Sequence, residues 1–248
     1  MSYMEQNMRP LAIGQVEARA TKFISDVYIR MTIALFASAA IGYLSITSGL
    51  LQWGLENLGR GFSWAIFGSQ LLTVIMFQAS VFKMKSTTAQ LLFALYAAIT
   101  GLTLGLVGMI YTLDSIFTIG AASAFGFAAL VAYGKITKRD LGPIGTFAIM
   151  GLTMLMVYSL GVALVGSFAP SASWMAGAVK IQGVFGCLFF SGLTAFEAQR
   201  LKKVAYGLAE QSPSDDAIEA YVNAGALNMF MSFIGLFLSA MNLFGNRR

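Results

Sequence analysis

Seven long apolar runs, separated by short polar or charged stretches, organise the 248-residue chain. They lie near residues 31–51, 62–82, 89–111, 113–133, 144–168, 173–196 and 223–244. At about 1.5 Å of rise per residue, each is long enough to cross a hydrocarbon core of about 30 Å. Backbone N–H and C=O groups have no water to bond in such a medium, so a run of this length satisfies them internally, as a helix. The pattern predicts an all-α membrane protein, a seven-transmembrane-helix bundle. Residues 31–248 form a single transmembrane domain behind a polar tail of residues 1–30. That tail lacks the short apolar core and small-residue cleavage site of a secretory signal, so the first span is expected to direct insertion itself. The connections are short except for residues 197–222, whose charge and Ser-Pro-Ser-Asp-Asp stretch (residues 212–216) read as a solvated loop.

The seventh run carries a second pattern. Gly225, Asn228, Ser232, Gly235, Ser239 and Asn242 recur at intervals of 3 and 4 and so share one helical stripe, while Met229, Phe230, Phe233, Leu236, Phe237 and Leu238 take the other faces. A small, polar stripe on an apolar helix is either a close-packing seam held by interhelical hydrogen bonds or the wall of a hydrated path. The spacing leaves both readings open. Gly101, Gly105 and Gly108 in the third run, and Gly183 and Gly186 in the sixth, read as helix contacts.

Composition narrows the class. Hydrophobic residues make up 57% of the chain and charged residues 11%, against about 25% charged in an ordinary soluble domain. A net charge of +5 would suggest nucleic acid in a soluble protein, but these 16 basic residues sit in clusters between apolar runs. The partner they imply is the lipid bilayer, not nucleic acid. Arg9, Arg19, Lys22 and Arg30 precede the first span, and Lys83, Lys85, Lys135, Lys138, Arg139, Arg200, Lys202 and Lys203 fall on the same side. Only Arg60, Arg247 and Arg248 fall opposite, with Lys180 inside the sixth run. The positive-inside rule puts the amino terminus in the cytoplasm. Arg247 and Arg248 disagree with seven full crossings, and a re-entrant seventh segment lining a vestibule is the alternative.

The chain has no histidine, which excludes Ser-His and Cys-His nucleophiles, His-ligated metals and imidazole switches. Its one cysteine, Cys187, lies in an apolar run and allows no intrachain disulfide. There is no H-E-x-x-H and no convincing pair of intramembrane aspartates, so we expect no enzyme activity, catalytic residue, cofactor or resident metal site. Of the carboxylates, Glu197 at the end of the sixth run is the candidate with chemistry. It shares a face with Thr194 and Arg200, and reads from spacing as an interfacial carboxylate beside Arg200, Lys202 and Lys203.

Several segments together resemble the bacterial branch of the Bax inhibitor-1 family. They are Tyr96-Ala97-Ala98-Ile99-Thr100-Gly101-Leu102-Thr103-Leu104, Tyr133-Gly134-Lys135-Ile136-Thr137-Lys138-Arg139-Asp140-Leu141, Ser191-Gly192-Leu193-Thr194-Ala195-Phe196-Glu197-Ala198-Gln199-Arg200-Leu201-Lys202, and the closing stretch from Gly225-Ala226-Leu227 to Gly245-Asn246-Arg247-Arg248. The resemblance runs in order from about Asp26 to the end. It implies a multi-pass protein of the bacterial inner membrane whose last helix is central, surrounded by the other six. It also implies a proton-sensitive calcium leak controlled by two aspartates, whose matching positions here are Glu197 and Ser232. The first keeps a carboxylate and the second loses it, so the pair cannot share a proton.

Two functions are carried forward. One is a pH-modulated pathway for calcium or other cations, with Glu197 as sensor, Asn228 and Ser232 as polar lining, and Lys83 as a closed-state partner. The other is a non-conducting regulator that binds a membrane protease or another stress-response component through the polar tail.

Overall fold

The computed structural model describes residues 13–168, 174–211 and 214–248. Eight helices carry the described chain: α1 (Ile13–Thr47), α2 (Leu50–Leu58), α3 (Arg60–Ser80), α4 (Ser86–Ile110), α5 (Leu113–Ile136), α6 (Gly142–Phe168), α7 (Met175–Gln211) and α8 (Asp215–Phe244). All but α2 are long and apolar enough to cross a membrane, and they correspond one to one with the seven runs of the sequence, although the first run, taken to residue 51, extends past the end of α1 at Thr47 into α2.

Two of them are longer than a bilayer requires. At 35 and 37 residues, α1 and α7 reach about 52 and 55 Å. Residues 13–30, assigned to the polar tail, are the first part of α1, and the segment read as a solvated loop is helical to Gln211 and again from Asp215. The cause is a periodicity sparser than that of a membrane span. Ala20, Phe23, Val27, Met31 and Ala34 bury one stripe of α1, and Leu201, Ala205 and Ala209 bury one stripe of α7. These stripes meet Val222 and Ala226 of α8 in one apolar core. Residues 1–12 of the tail lie outside the described residues.

Ser214 caps α8, its Oγ accepting the Ala217 N–H, and Asp215 and Asp216 complement the first turn's dipole. From there α8 runs unbroken for 30 residues, so the seventh segment is a full-length helix and not a re-entrant loop. Its far end is pinned. The Thr112 N–H donates to the Asn246 carbonyl (3.0 Å), the Arg248 N–H to the Ile110 carbonyl (3.0 Å), and the Asn246 N–H to Ser115 Oγ (3.0 Å). The chain's end thus sits on the α4–α5 junction, at the opposite end of the bundle from the connections bearing Lys83, Lys85, Lys138 and Arg139. We call the latter the basic end.

More than half of the most apolar stretch of α8 is buried, against a third or less in every other span. Its extensive packing is with α7, α1, α5 and α4. The flanking helices are attached at the edges: α6 packs on α7, and α3 on α4 and α2. Four helices, not six, therefore make the broad contacts with α8, and α3 reaches it chiefly through polar and aromatic side chains at the basic end.

Small residues set the closest approaches. A Cβ on Gly101 would lie 2.8 Å from the Ser38 carbonyl of α1, and one on Gly183 would lie 2.9 Å from the Ser239 carbonyl of α8. Gly101, Gly105 and Gly183 are thus contact points with a neighbouring backbone, while Gly108 and Gly186 make room for the side chains of Ile46 and Ser239. The short α2 is flanked by Gly49 (φ 75°) and Gly59 (φ 55°), left-handed positions that favour glycine. It buries Leu51 while exposing Trp53, as a helix lying at a membrane interface does.

Candidate functional site

The polar stripe of α8 divides once its neighbours are in place. At Gly225, Gly235 and Ser239 it is a packing seam: Gly225 faces Val27 and Leu201, Gly235 faces the Phe190 ring, and Ser239 settles on Gly183 and Gly186. At Asn242 it is a tether, the amide oxygen accepting a hydrogen bond from the Tyr111 hydroxyl (3.2 Å). Only around Asn228 and Ser232 is there chemistry beyond packing.

Glu197 lies on α7 and is buried, with 9% of its surface exposed. Helical spacing places Arg200 one turn on, its Nη1 3.4 Å from Glu197 Oε1. Thr194, on the same face, spends its hydroxyl on the Phe190 carbonyl (2.7 Å) and leaves the carboxylate to the arginine. A cavity of about 60 Å³ opens beside the pair, and Asn228, Gly225, Phe82 and Tyr221 complete much of its wall. Asn228 Oδ1 accepts a hydrogen bond from Gln78 Nε2 of α3 (3.0 Å), which ties the flanking helix to the site. Volume for about two waters, a buried carboxylate and an amide make a polar pocket inside an otherwise apolar bundle.

Ser232, one turn beyond Asn228, does not line this cavity. It is fully buried, and its hydroxyl has no hydrogen-bond partner among the described residues. Lys83 does not line it either. That side chain is exposed on the turn after α3, and its neighbour Phe82 takes the position at the cavity, with its ring 4.9 Å from that of Tyr221. The structure thus joins Glu197 to Asn228, seals Ser232 above them and leaves Lys83 outside.

A second polar cluster was not visible in the sequence. Arg30 of α1 donates from Nη2 to Glu219 Oε2 (2.7 Å) and from Nη1 to Asn223 Oδ1 (2.7 Å), both on α8. Gln90 of α4 donates to the same Glu219 oxygen (3.2 Å). Asn223 is fully buried, with its amide nitrogen unpartnered among the described residues. One turn separates Glu219 from Asn223, so both can reach a single guanidinium. Nothing in spacing links them to Arg30, about 190 residues earlier in the chain.

No group of three or more His, Cys, Asp or Glu side chains among the described residues is arranged to hold a metal ion. Glu197 with the Asn228 amide offers too few oxygens for a resident calcium, which takes about six to eight.

The family model described as "Inhibitor of apoptosis-promoting Bax1" matches residues 20–248. The chain belongs to the Bax inhibitor-1 family. It is 32% identical to the inner membrane protein YbhL of Escherichia coli K12 over 245 residues, which cover 99% of this chain and all of that one. It is 31% identical to an uncharacterized protein of Borreliella burgdorferi over 92% of this chain and 93% of the relative. A Streptococcus pyogenes membrane protein, SpyM3_0260, is 27% identical over 93% and 95%. A match of this extent makes the chain a multi-pass membrane protein of the Bax inhibitor-1 family, and places Glu197, Asn228 and Ser232 inside the family's shared region.

Proposed function

We propose that this protein is a pH-modulated leak pathway for calcium or other cations in the bacterial inner membrane, with its basic end in the cytoplasm and Glu197 as the sensor. The observation that carries the reading is a carboxylate buried in a membrane helix, opening onto a small polar cavity whose other wall is Asn228 of α8. An ionisable group at that depth costs free energy and is retained where it faces a pathway or a partner. In the arrangement described, the pathway is closed. Ser232 is fully buried on α8 and does not reach the cavity, and Leu227, Phe230 and Ile234 of the same helix are buried in the surrounding core. Opening requires α8 to move against α7, which would bring Ser232 into line with Glu197 and Asn228. The reading contains no catalytic step and no resident metal. Lys83 enters only if α3 moves, since it is exposed and does not line the cavity.

One observation favours the second reading, a non-conducting regulator that captures a membrane protease or stress-response partner. Ser232 offers a hydroxyl where the family resemblance expects a second carboxylate. Calcium flux through the purified protein in liposomes, beside a Ser232→Asp variant, separates the two. Conduction by the native protein supports the leak. Conduction by Ser232→Asp alone means that this chain has lost the pathway, and the regulator reading replaces it.

A further inference from the structure

We infer that the basic end carries a binding groove for an anionic phospholipid headgroup, between α1 and α5. The groove has a volume of about 500 Å³ and opens to the outside of the bundle, where α1 turns its buried stripe towards α4, α7 and α8 instead of α5. It is lined by Ser25, Tyr28, Ile29, Ile33 and Thr21 from α1, and by Lys135 from the last turn of α5.

Its charge is unbalanced. The Lys135 ammonium lies 4.3 Å from the centroid of the Tyr28 ring, a cation–π contact that orients it without neutralising it. Among the described residues no carboxylate pairs with it. The charge it does feel is that of Lys202, which repels it. Lys202 is held there because its own ammonium caps the end of α5, donating to the Lys135 carbonyl (3.0 Å). The Lys135 ammonium thus stands in the groove without a counter-charge, beside a Tyr28 hydroxyl that is buried and has no hydrogen-bond partner among the described residues. An anion bearing several acceptor oxygens satisfies both the Lys135 ammonium and the Tyr28 hydroxyl. The exposed Ile29 and Ile33 continue the groove along α1 towards mid-membrane, where an acyl chain would lie. A phosphate attached to such a chain fits both halves, and basic pockets between membrane helices suit such headgroups.

The test is lipid retention. The protein is reconstituted in nanodiscs of phosphatidylcholine with a minority of phosphatidylglycerol, re-extracted gently, and its bound lipid is identified by native mass spectrometry. The native protein should retain phosphatidylglycerol selectively. Lys135→Gln should lower that retention about fivefold, the effect of one basic contact near a membrane surface. Tyr28→Phe removes only the hydroxyl and should lower it less, so it covers the case in which Lys135→Gln fails to fold. Equal retention in native protein and both variants would overturn the inference. So would equal retention of phosphatidylcholine, or inorganic phosphate displacing the lipid, which would make the groove a site for a soluble anion.

Discussion

The Glu197 carboxylate and the Arg200 guanidinium lie 3.4 Å apart on one face of α7, yet they sit in different media: 12% of the glutamate side chain is exposed and 57% of the arginine. The carboxylate is the buried partner, and its compensating charge stands at the mouth of the cavity. A proton or cation reaching Glu197 competes with a group already half in water. The pair is suited to being broken, since an exposed arginine gives up little when it swings away.

Arg200→Gln should therefore weaken the closed form without unfolding the bundle. A buried carboxylate losing its partner is costly, but the arginine's exposure reduces the loss to about 1 kcal/mol. The expected outcome is a raised basal leak at neutral pH and a slightly lower unfolding temperature. An unchanged leak together with an unchanged unfolding temperature would mean that the ion pair does not hold the closed form.

The Arg30 cluster should contribute more to stability than the Glu197 pair. Both of its bonds are 2.7 Å and charge-assisted, and they join the two ends of the chain's helical order, α1 and α8. Arg30→Ala and Glu219→Gln should each cost about 1–3 kcal/mol, and the double variant should cost less than their sum. Thermal unfolding of the three variants in one detergent gives the coupling. Strict additivity would show that the two side chains act independently.

Gln199 holds the α5–α6 connection with both ends of its amide: Nε2 donates to the Arg139 carbonyl (2.8 Å) and Oε1 accepts the Leu141 N–H (2.9 Å). Gln199→Ala leaves a carbonyl and an amide unpaired and should cost about 1–3 kcal/mol. Its signature is faster amide exchange at Leu141 with no change near the α4–α5 junction.

Asp140, in the same connection, accepts hydrogen bonds from Lys203 (3.1 Å) and the Gly142 N–H (3.4 Å). These hold its carboxyl below the ordinary carboxylate value, the Lys203 bond being the larger cause. A depressed value contributes stability above the unfolded value and loses it as pH falls through the folded one. Local exchange around Gly142 should therefore quicken below about pH 4. Lys203→Ala should shrink this acid response, because the folded value then rises towards the unfolded one, and high salt should act the same way because both groups are exposed. An acid response of the same size in Lys203→Ala would contradict the assignment.

The glycines offer a matched contrast. Gly101→Ala drives a methyl into the Ser38 carbonyl and Ile41, neither of which can yield without moving α1, and should cost about 1–3 kcal/mol. Gly68→Ala meets nothing within 4 Å and should be neutral or slightly stabilising, since alanine is the better helix former.

The spans were legible because continuous apolar length is a strong signal, and Glu197 and Asn228 were legible because polar groups stand out against it. The extensions of α1 and α7 were not, because Ala20, Ala205 and Ala209 make a stripe too small and too interrupted by charge to rise above a polar background. The nine-residue α2 is shorter than any window that detects spans, though Gly49 and Gly59 mark its ends. Arg30 with Glu219 could not be paired at all: charge and spacing give local neighbours, and this contact belongs to the tertiary fold. Lys83 shows the same limit from the other side, since its place near the end of a helix says nothing of the direction in which it points.

The most direct test of the account is cation flux through the purified protein in liposomes between pH 6 and 8, with Glu197→Gln measured beside it. The account predicts a pH-dependent flux in the native protein and a flux in Glu197→Gln that no longer responds to pH. A variant whose flux follows pH as the native protein's does would contradict Glu197 as the sensor.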